Sequence, residues 1–203
     1  MAYSEKQRED IRRHIAEVCA QQIAEKGLQG VSGRSLASVL GKSVGWIYNF
    51  HSDFDAIILA ANSLTLAELD HHLSATAAGH EGRTVEERFL ALALTYLRFS
   101  MDNPRRWAAL FEHQMPEGRD LSPEHKMEHY ILFRHVEAPL AEIMPDADES
   151  TLRATARTIY SAVHGVVSLS LQGRLDKVPL ELLQDQLRRL TMAFAAGYAA
   201  QQR

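Results

Sequence analysis

The sequence predicts an all-α protein, and three observations carry that prediction. Helix-starting and helix-stopping residues recur along all 203 positions, apolar residues return at intervals of three and four, and alternating strand-like patterns are nearly absent. A hydrophobic content of 46% supports a packed core rather than a disordered chain, with room for one large domain or a small domain joined to a medium one.

The elements follow in order. Ser4 and Gln7 form a capping box, Ile11, Ile15, Val18, Cys19 and Ile23 make an apolar face, and Gly27 is a natural stop, so a first helix is expected over roughly 5–26. Two short periodic segments come next, Arg34–Leu40 and Val44–Phe50, separated by Gly41-Lys42-Ser43. Gly41 supplies a positive φ and Ser43 a cap, which is the spacing of a helix-turn-helix. Ser52 with Asp55 is expected to cap a fourth helix, running through Ile57, Leu64 and Leu69 to the Ala-rich end before Gly79. Thr84 and Glu87 form another capping box for a helix to about Met101, and Asn103-Pro104 starts a short one. Met115–Leu121 reads as a loop. Ser122-Pro123 opens a long helix with Pro139 inside it, which predicts a kink or break before Leu140. Pro145–Glu149 is a turn.

The last two helices, roughly 150–172 and 180–200, bring the expected total to about nine. Ile159–Leu171 is apolar or small on nearly every side, which predicts burial all round. Leu183, Leu187, Leu190, Phe194 and Gly197 make one continuous stripe. These helices are read as a subunit interface built on Ile159, Val163, Val166, Leu183, Leu187, Leu190 and Phe194, because no later element covers them. The other reading, that they close the core of a single subunit, has the same periodicity and stays open.

Charge is distributed with the sign a nucleic-acid-binding head would need. Residues 1–50 carry seven Lys and Arg against five acids and the remainder is acidic, giving the chain a net charge of −4. Cys19 is the only cysteine, so a disulfide framework or multi-cysteine zinc site is excluded, and it reads as an inert core residue in a reducing compartment. The polar N-terminus lacks an apolar signal core and no stretch approaches the length of a membrane span, so a cytoplasmic protein with no membrane partner is expected.

Here the run RSLASVLGKSVGWIYNFHSDFD, Arg34 to Asp55, becomes specific. It resembles the helix-turn-helix of TetR-type regulators: Arg34, Leu36, Ala37, Gly41, Ser43, Gly45, Ile47 and Tyr48 fall in register, as does the preceding helix with its Gly27 turn. The resemblance implies a helix-turn-helix DNA-binding domain over residues 1–52 and a helical ligand-binding and dimerisation domain over 53–203. It also implies a homodimeric repressor, without a cofactor, released from a double-stranded operator by a small apolar or amphipathic effector. Carried over onto matching positions, Arg34, Ser43, Val44, Gly45, Trp46 and Tyr48 face DNA, with Asn49 and His51 as additions. Two positions depart from the family. Trp46 stands where a small Thr is usual, and Phe54, beside Asp53, stands where a Lys is usual, so one phosphate contact is missing or displaced.

Beyond residue 60 the resemblance is looser. It rests on Trp107–His113 and on Ala162-Val163-His164-Gly165, similar to the TetR subgroup with a Trp/Ala-x-His-Gly element. An effector pocket between helices draws on aromatic, Met and His side chains, here Tyr96, Phe99, Trp107, Phe111, His113, Met127, Tyr130, Phe133, Tyr160 and His164. Core packing is the competing role for each, and His164 reads as a satisfied core histidine.

Two rival functions remain at this point: a helical protein-interaction module that has lost DNA binding, and a metal-binding enzyme. Ten histidines invite the second, and His125 and His129 share a helix face. The Glu that adjoins the first His in metalloprotease helices is absent between them, and no phosphate loop or nucleophile elbow occurs, so a surface His pair is expected and an enzyme is not.

Overall fold

The computed structural model describes residues 3–172 and 178–201. It contains ten α-helices among the described residues: α1 (Glu5–Lys26), α2 (Gly33–Leu40), α3 (Val44–Ile47), α4 (Phe54–Gly79), α5 (Val85–Asp102), α6 (Pro104–Glu112), α7 (Pro123–Ile131), α8 (Arg134–Ile143), α9 (Glu149–Leu171) and α10 (Leu180–Gln201). One 3-10 turn, Leu28–Gly30, follows α1. The chain forms two compact units, Met1–Glu68 with Asn103–Glu128, and Leu69–Asp102 with His129–Arg203; the divisions fall within α4, between α5 and α6, and within α7.

In the first unit the predicted capping chemistry is in place. The Ser4 hydroxyl accepts from Gln7 N–H and the Gln7 side chain accepts from Ser4 N–H, closing the capping box of α1. Gly27, at φ 75°, ends the helix with its N–H on the Ile23 carbonyl. A second box, between Ser32 and Ser35, starts α2 one residue earlier than the periodicity suggests. Gly41 then turns the chain in the left-handed region at φ 62°, and Ser43 caps α3. That helix is shorter than Val44–Phe50. It ends at Ile47, because Asn49 and Phe50 N–H donate to Trp46 and Ile47 carbonyls three residues back, tightening the backbone into turns. The core is Ile15, Cys19, Ile23, Leu36, Ile47 and Ile57, with Leu28, Val31, Phe50 and Ile58 around them. Burial pushes the Cys19 thiol up to about 12, which keeps it an inert core group.

Caps and breaks shift by a few residues elsewhere. Asp53, rather than Ser52 with Asp55, caps α4 by accepting from Ala56 N–H at 2.8 Å. The long helix expected after Ser122-Pro123 is two helices, and the break falls at Leu132–Phe133 instead of before Leu140. Leu132 and Phe133 N–H bond three residues back, to His129 and Tyr130 carbonyls, and both side chains are buried. Pro139 lies inside α8 and is itself buried.

In the second unit α5 packs against α8, α9 and α10. The Thr84–Glu87 box opens α5 as predicted. Helix α9 is not buried all round. Ala156, Ile159, Val163 and Val167 form its one buried face, while Leu169 is 50% exposed. Among the described residues no helix is long and apolar enough to cross a membrane.

Candidate functional site

The first unit builds a polar surface around α3. The Ser43 hydroxyl accepts from Trp46 N–H at 3.1 Å, leaving its own proton available at the exposed start of the helix. Arg34, Ser43, Gly45, Tyr48 and Asn49 are exposed, and Val44 and Trp46 are half-buried. The Tyr48 hydroxyl stands over the first turn of α2, so close to Gly33 that a Cβ there would lie 2.9 Å from Oη. Six of the seven expected DNA-facing residues therefore cluster on or beside α3, with Arg34 on the first turn of α2.

Trp46 is held from two sides, with Phe50 at 4.8 Å between ring centroids and Lys42 Nζ 5.3 Å from its ring. His51 is turned inward, its Nε2 at 3.3 Å from the Arg12 carbonyl, and burial lowers its pKa. Phe54 packs against the core of this unit. Beside it, the Ala56 N–H holds the Asp53 carboxyl below its usual range, and Arg119 reaches both Asp53 at 3.0 Å and Asp55 at 3.7 Å.

Sequence reasoning missed the two arginines that hold the segment after α3. Arg8 Nη2 donates to the Asn49 carbonyl at 2.8 Å with its guanidinium 5.2 Å from the Phe50 ring, and Arg12 Nε donates to the Phe50 carbonyl at 3.1 Å. Their four-residue spacing on the polar face of α1 was the available signal. Gln22, buried, pins α2 to α1 by donating to the Ser35 carbonyl and accepting from the Ser35 hydroxyl.

The aromatic candidates for a pocket do not converge. Tyr96, Phe133, Tyr160 and His164 gather in the second unit, with Phe133 and Tyr160 ring centroids 5.1 Å apart. Phe99 is buried there too, beside His72, and Tyr130 is 44% exposed. Trp107, Phe111 and His113 belong to the other compact unit, as does the 60% exposed Met127. A cavity of about 40 Å³ in the second unit is lined by two of the candidates, Tyr96 and Tyr160, with Phe89, Leu92 and Ala93 of α5 and His135 of α8. His164 stands behind it, bonded to Tyr96 at 2.7 Å, and burial lowers its pKa.

Histidines expected at the surface are partly inside. His125 is buried with Nδ1 3.0 Å from Glu128, and Ser63 donates to the same carboxylate at 2.6 Å. Serine and carboxylate meet the same imidazole nitrogen side, so this is not the relay of a nucleophilic triad, in which the base stands between the other two. His113 Nε2 is buried without a hydrogen-bond partner, 3.6 Å from Asp55, and burial lowers its pKa against the opposing pull of that carboxylate. Among the described residues no group of three or more His, Cys, Asp or Glu is placed to hold a metal ion.

Of the expected interface residues, Ile159, Val163, Leu183 and Leu187 are buried within the chain itself, so a second copy is not needed to cover them. Val166, Leu190 and Phe194 are half-buried. The open faces of α9 and α10 instead present Leu169, Leu182 and Met192, each about half exposed, together with Ala193, Ala196 and Gly197.

An all-helical chain with a helix-turn-helix at one end and a helical body defines a class of transcriptional regulator. Residues 89–194 match the family model described as Tetracyclin repressor-like, C-terminal domain. The chain belongs to the TetR family. No curated protein matches it in sequence. Among solved structures it is similar to a protein of unknown function from Rhodococcus sp. RHA1, at 20% identity and TM-score 0.73 over 93% of this chain and 95% of that one. It is also similar to a TetR-family transcriptional regulator from Streptomyces coelicolor, at 17% identity and TM-score 0.67 over 100% and 85%. A TetR transcriptional regulator from Rhodococcus sp. RHA1 gives 14% identity and TM-score 0.62 over 92% and 97%.

Proposed function

We propose that the protein is a cytoplasmic, homodimeric transcriptional repressor, with residues 1–52 as the DNA-binding head and 53–203 as the body that binds a small effector and dimerises. The observation that carries this reading is the exposed start of α3 beside the start of α2. Free amides of two helix N-termini, the Ser43 proton and the Tyr48 hydroxyl stand together, and such groups bind phosphate. Arg34 and Asn49 are exposed nearby as candidates for phosphate or base-edge contacts.

Dimerisation uses the open faces of α9 and α10, where small residues allow close approach and Leu169 and Met192 remain half exposed. Effector and DNA favour different conformations of the body, each weakening the other's binding by the same factor. Gel shift with fragments of the gene's own upstream region at low salt tests the head: binding that Arg34→Ala and Tyr48→Ala abolish supports it, and no binding to any fragment refutes it. Sedimentation tests the pairing, with a monomer at micromolar concentration as the refuting result.

A further inference from the structure

The cavity of the second unit is built to refuse charge. Its walls are carbon: Phe89, Leu92, Ala93, Leu132, Ile159 and Val163 dominate them. Each of the four polar side chains on its surface has a partner within the protein. Tyr160 donates to the Tyr96 hydroxyl at 3.3 Å, and Tyr96 is bonded to His164 Nδ1 at 2.7 Å. His135 Nε2 meets Asp70 Oδ1 at 2.8 Å, and the same carboxylate is paired with Arg134 at 3.0 Å. Thr191 donates to the Leu187 carbonyl at 2.9 Å.

Two consequences follow from that pairing. A water in a cavity needs two to four polar partners, and here each polar side chain is already engaged within the protein while the rest of the wall is carbon, so the space favours a dry occupant. A charged ligand would shed its hydration with no unengaged countercharge to meet it, because the Asp70 carboxylate already serves His135 and Arg134. An apolar ligand loses nothing on entry and gains by leaving water. The cavity, about 40 Å³, exceeds the roughly 10–15 Å³ that one water requires by this measure but is small for a ring, so entry requires side chains of α5 and α9 to shift.

We infer that this cavity takes a small uncharged hydrocarbon-like molecule, no larger than a single aromatic ring, and excludes its carboxylated and aminated analogues. The inference rests on the reading of the body as an effector-binding domain, which it narrows from an apolar or amphipathic ligand to a neutral one.

Three probes that share one benzene ring, toluene, benzoate and benzylammonium, are titrated into the full chain by calorimetry and thermal shift. Toluene is expected to bind at least about 100-fold more tightly than either ion. Leu132→Ala enlarges the space and tightens toluene binding, whereas Ala93→Leu fills it and abolishes binding, with far-UV circular dichroism checking that each variant is folded. Should Ala93→Leu fail to fold, Leu132→Ala decides alone. Comparable affinity for benzoate or benzylammonium at this cavity overturns the inference, as does toluene binding that neither variant alters or its absence from both wild type and Leu132→Ala. Adding each probe to the DNA complex separates the two claims. Toluene that binds as expected but leaves DNA bound supports the ligand class and refutes the effector role. An ion that binds in the cavity and releases DNA supports the effector role and overturns the ligand class.

Discussion

A methyl group added at Gly33 tests the geometry of the head without removing any group thought to touch DNA. The new Cβ of Gly33→Ala would lie 2.9 Å from Tyr48 Oη, whereas ordinary contact begins at 3.4 Å, so the hydroxyl must retreat by about 0.5 Å. The other neighbours, Tyr48 Cζ at 3.7 Å and Val44 Cγ1 at 3.8 Å, already lie at ordinary distance. The tyrosine swings at little cost, because it is 40% exposed. Stability is therefore expected to hold or rise by less than the roughly 1 kcal/mol that Gly to Ala gains in a helix interior, because Gly33 is the first residue of α2. DNA affinity falls, since a displaced hydroxyl loses its phosphate hydrogen bond, about 1 kcal/mol or ~5-fold per head. Two heads on one operator multiply this to about 30-fold. Tyr48→Phe should lose the same amount and the double variant no more, because both remove one interaction. Fluorescence anisotropy across a salt series measures it; the slope against salt stays unchanged, since no cation is lost. Wild-type affinity in Gly33→Ala, or losses that add in the double variant, would refute the placing of Tyr48 at a phosphate.

Three further predictions concern stability. Gly41→Ala costs about 1 kcal/mol in thermal unfolding, because its φ of 62° strains any residue with a Cβ while no atom lies within 4 Å of that carbon; Gly41→Asn should recover part of the loss, and an Ala variant as stable as wild type contradicts the account. Leu187→Ala removes a fully buried side chain and costs about 3 kcal/mol or more in urea unfolding, whereas Met192→Ala, at a 51% exposed position, leaves subunit stability nearly unchanged and weakens dimerisation. Burial lowers the pKa of His51, His113 and His164 below 6.5 in the folded state. Their contribution is thus fully present above pH 6.5 and is lost as pH falls toward the folded values, where the unfolded chain alone takes up protons, by at most about 1.4 kcal/mol per pH unit for each. The melting temperature should drop between pH 7.5 and 5.5, and His113→Phe should shallow that drop; an unchanged slope argues against a neutral buried His113.

The parts of the head that the sequence foretold are those whose chemistry is complete within four or five consecutive residues. Ser4 with Gln7, Gly27, Gly41 and Ser43 each do in the structure what their neighbours imply, because a cap or a left-handed turn is decided by adjacent backbone. Where several caps compete within one run, as in Ser52-Asp53-Phe54-Asp55, local rules give the helix but not the residue, and Asp53 takes the role. Pro139 misled for a related reason. Proline costs the helix one backbone bond and crowds the carbonyl four residues back, yet α8 runs on through a buried Pro139 to Ile143, and the break falls instead at the turn where Leu132 and Phe133 are both buried. Four-residue spacing puts Arg8 and Arg12 on one face of α1, but nothing local names Asn49 and Phe50 as what they clamp, because those partners lie 41 and 38 positions away.

The body was harder to read because its cavity is lined by residues far apart in the sequence. Aromatic residues from 96 to 164 look equivalent in a list, yet the folded chain sends Trp107, Phe111 and His113 into one compact unit and gathers Tyr96, Phe133, Tyr160 and His164 in the other. What distinguishes the cavity is the pairing of its polar atoms across 64 to 68 positions, Tyr160 to Tyr96 and Tyr96 to His164, with Asp70 closing on His135 over 65. The same limit explains the interface. Leu183 and Leu187 carry the period of an apolar stripe whether that stripe meets α5 or a second copy, and periodicity reports only that a face is apolar. Burial inside the single chain separates the two cases and moves the proposed contact to the neighbouring face of Met192, Ala193, Ala196 and Gly197. A dimer built there needs close helix approach at Ala193, Ala196 and Gly197 beside the contacts of Met192. A bulky substitution such as Gly197→Leu, on a position with no atom within 4 Å of its Cβ, should therefore leave the subunit folded while blocking its pairing.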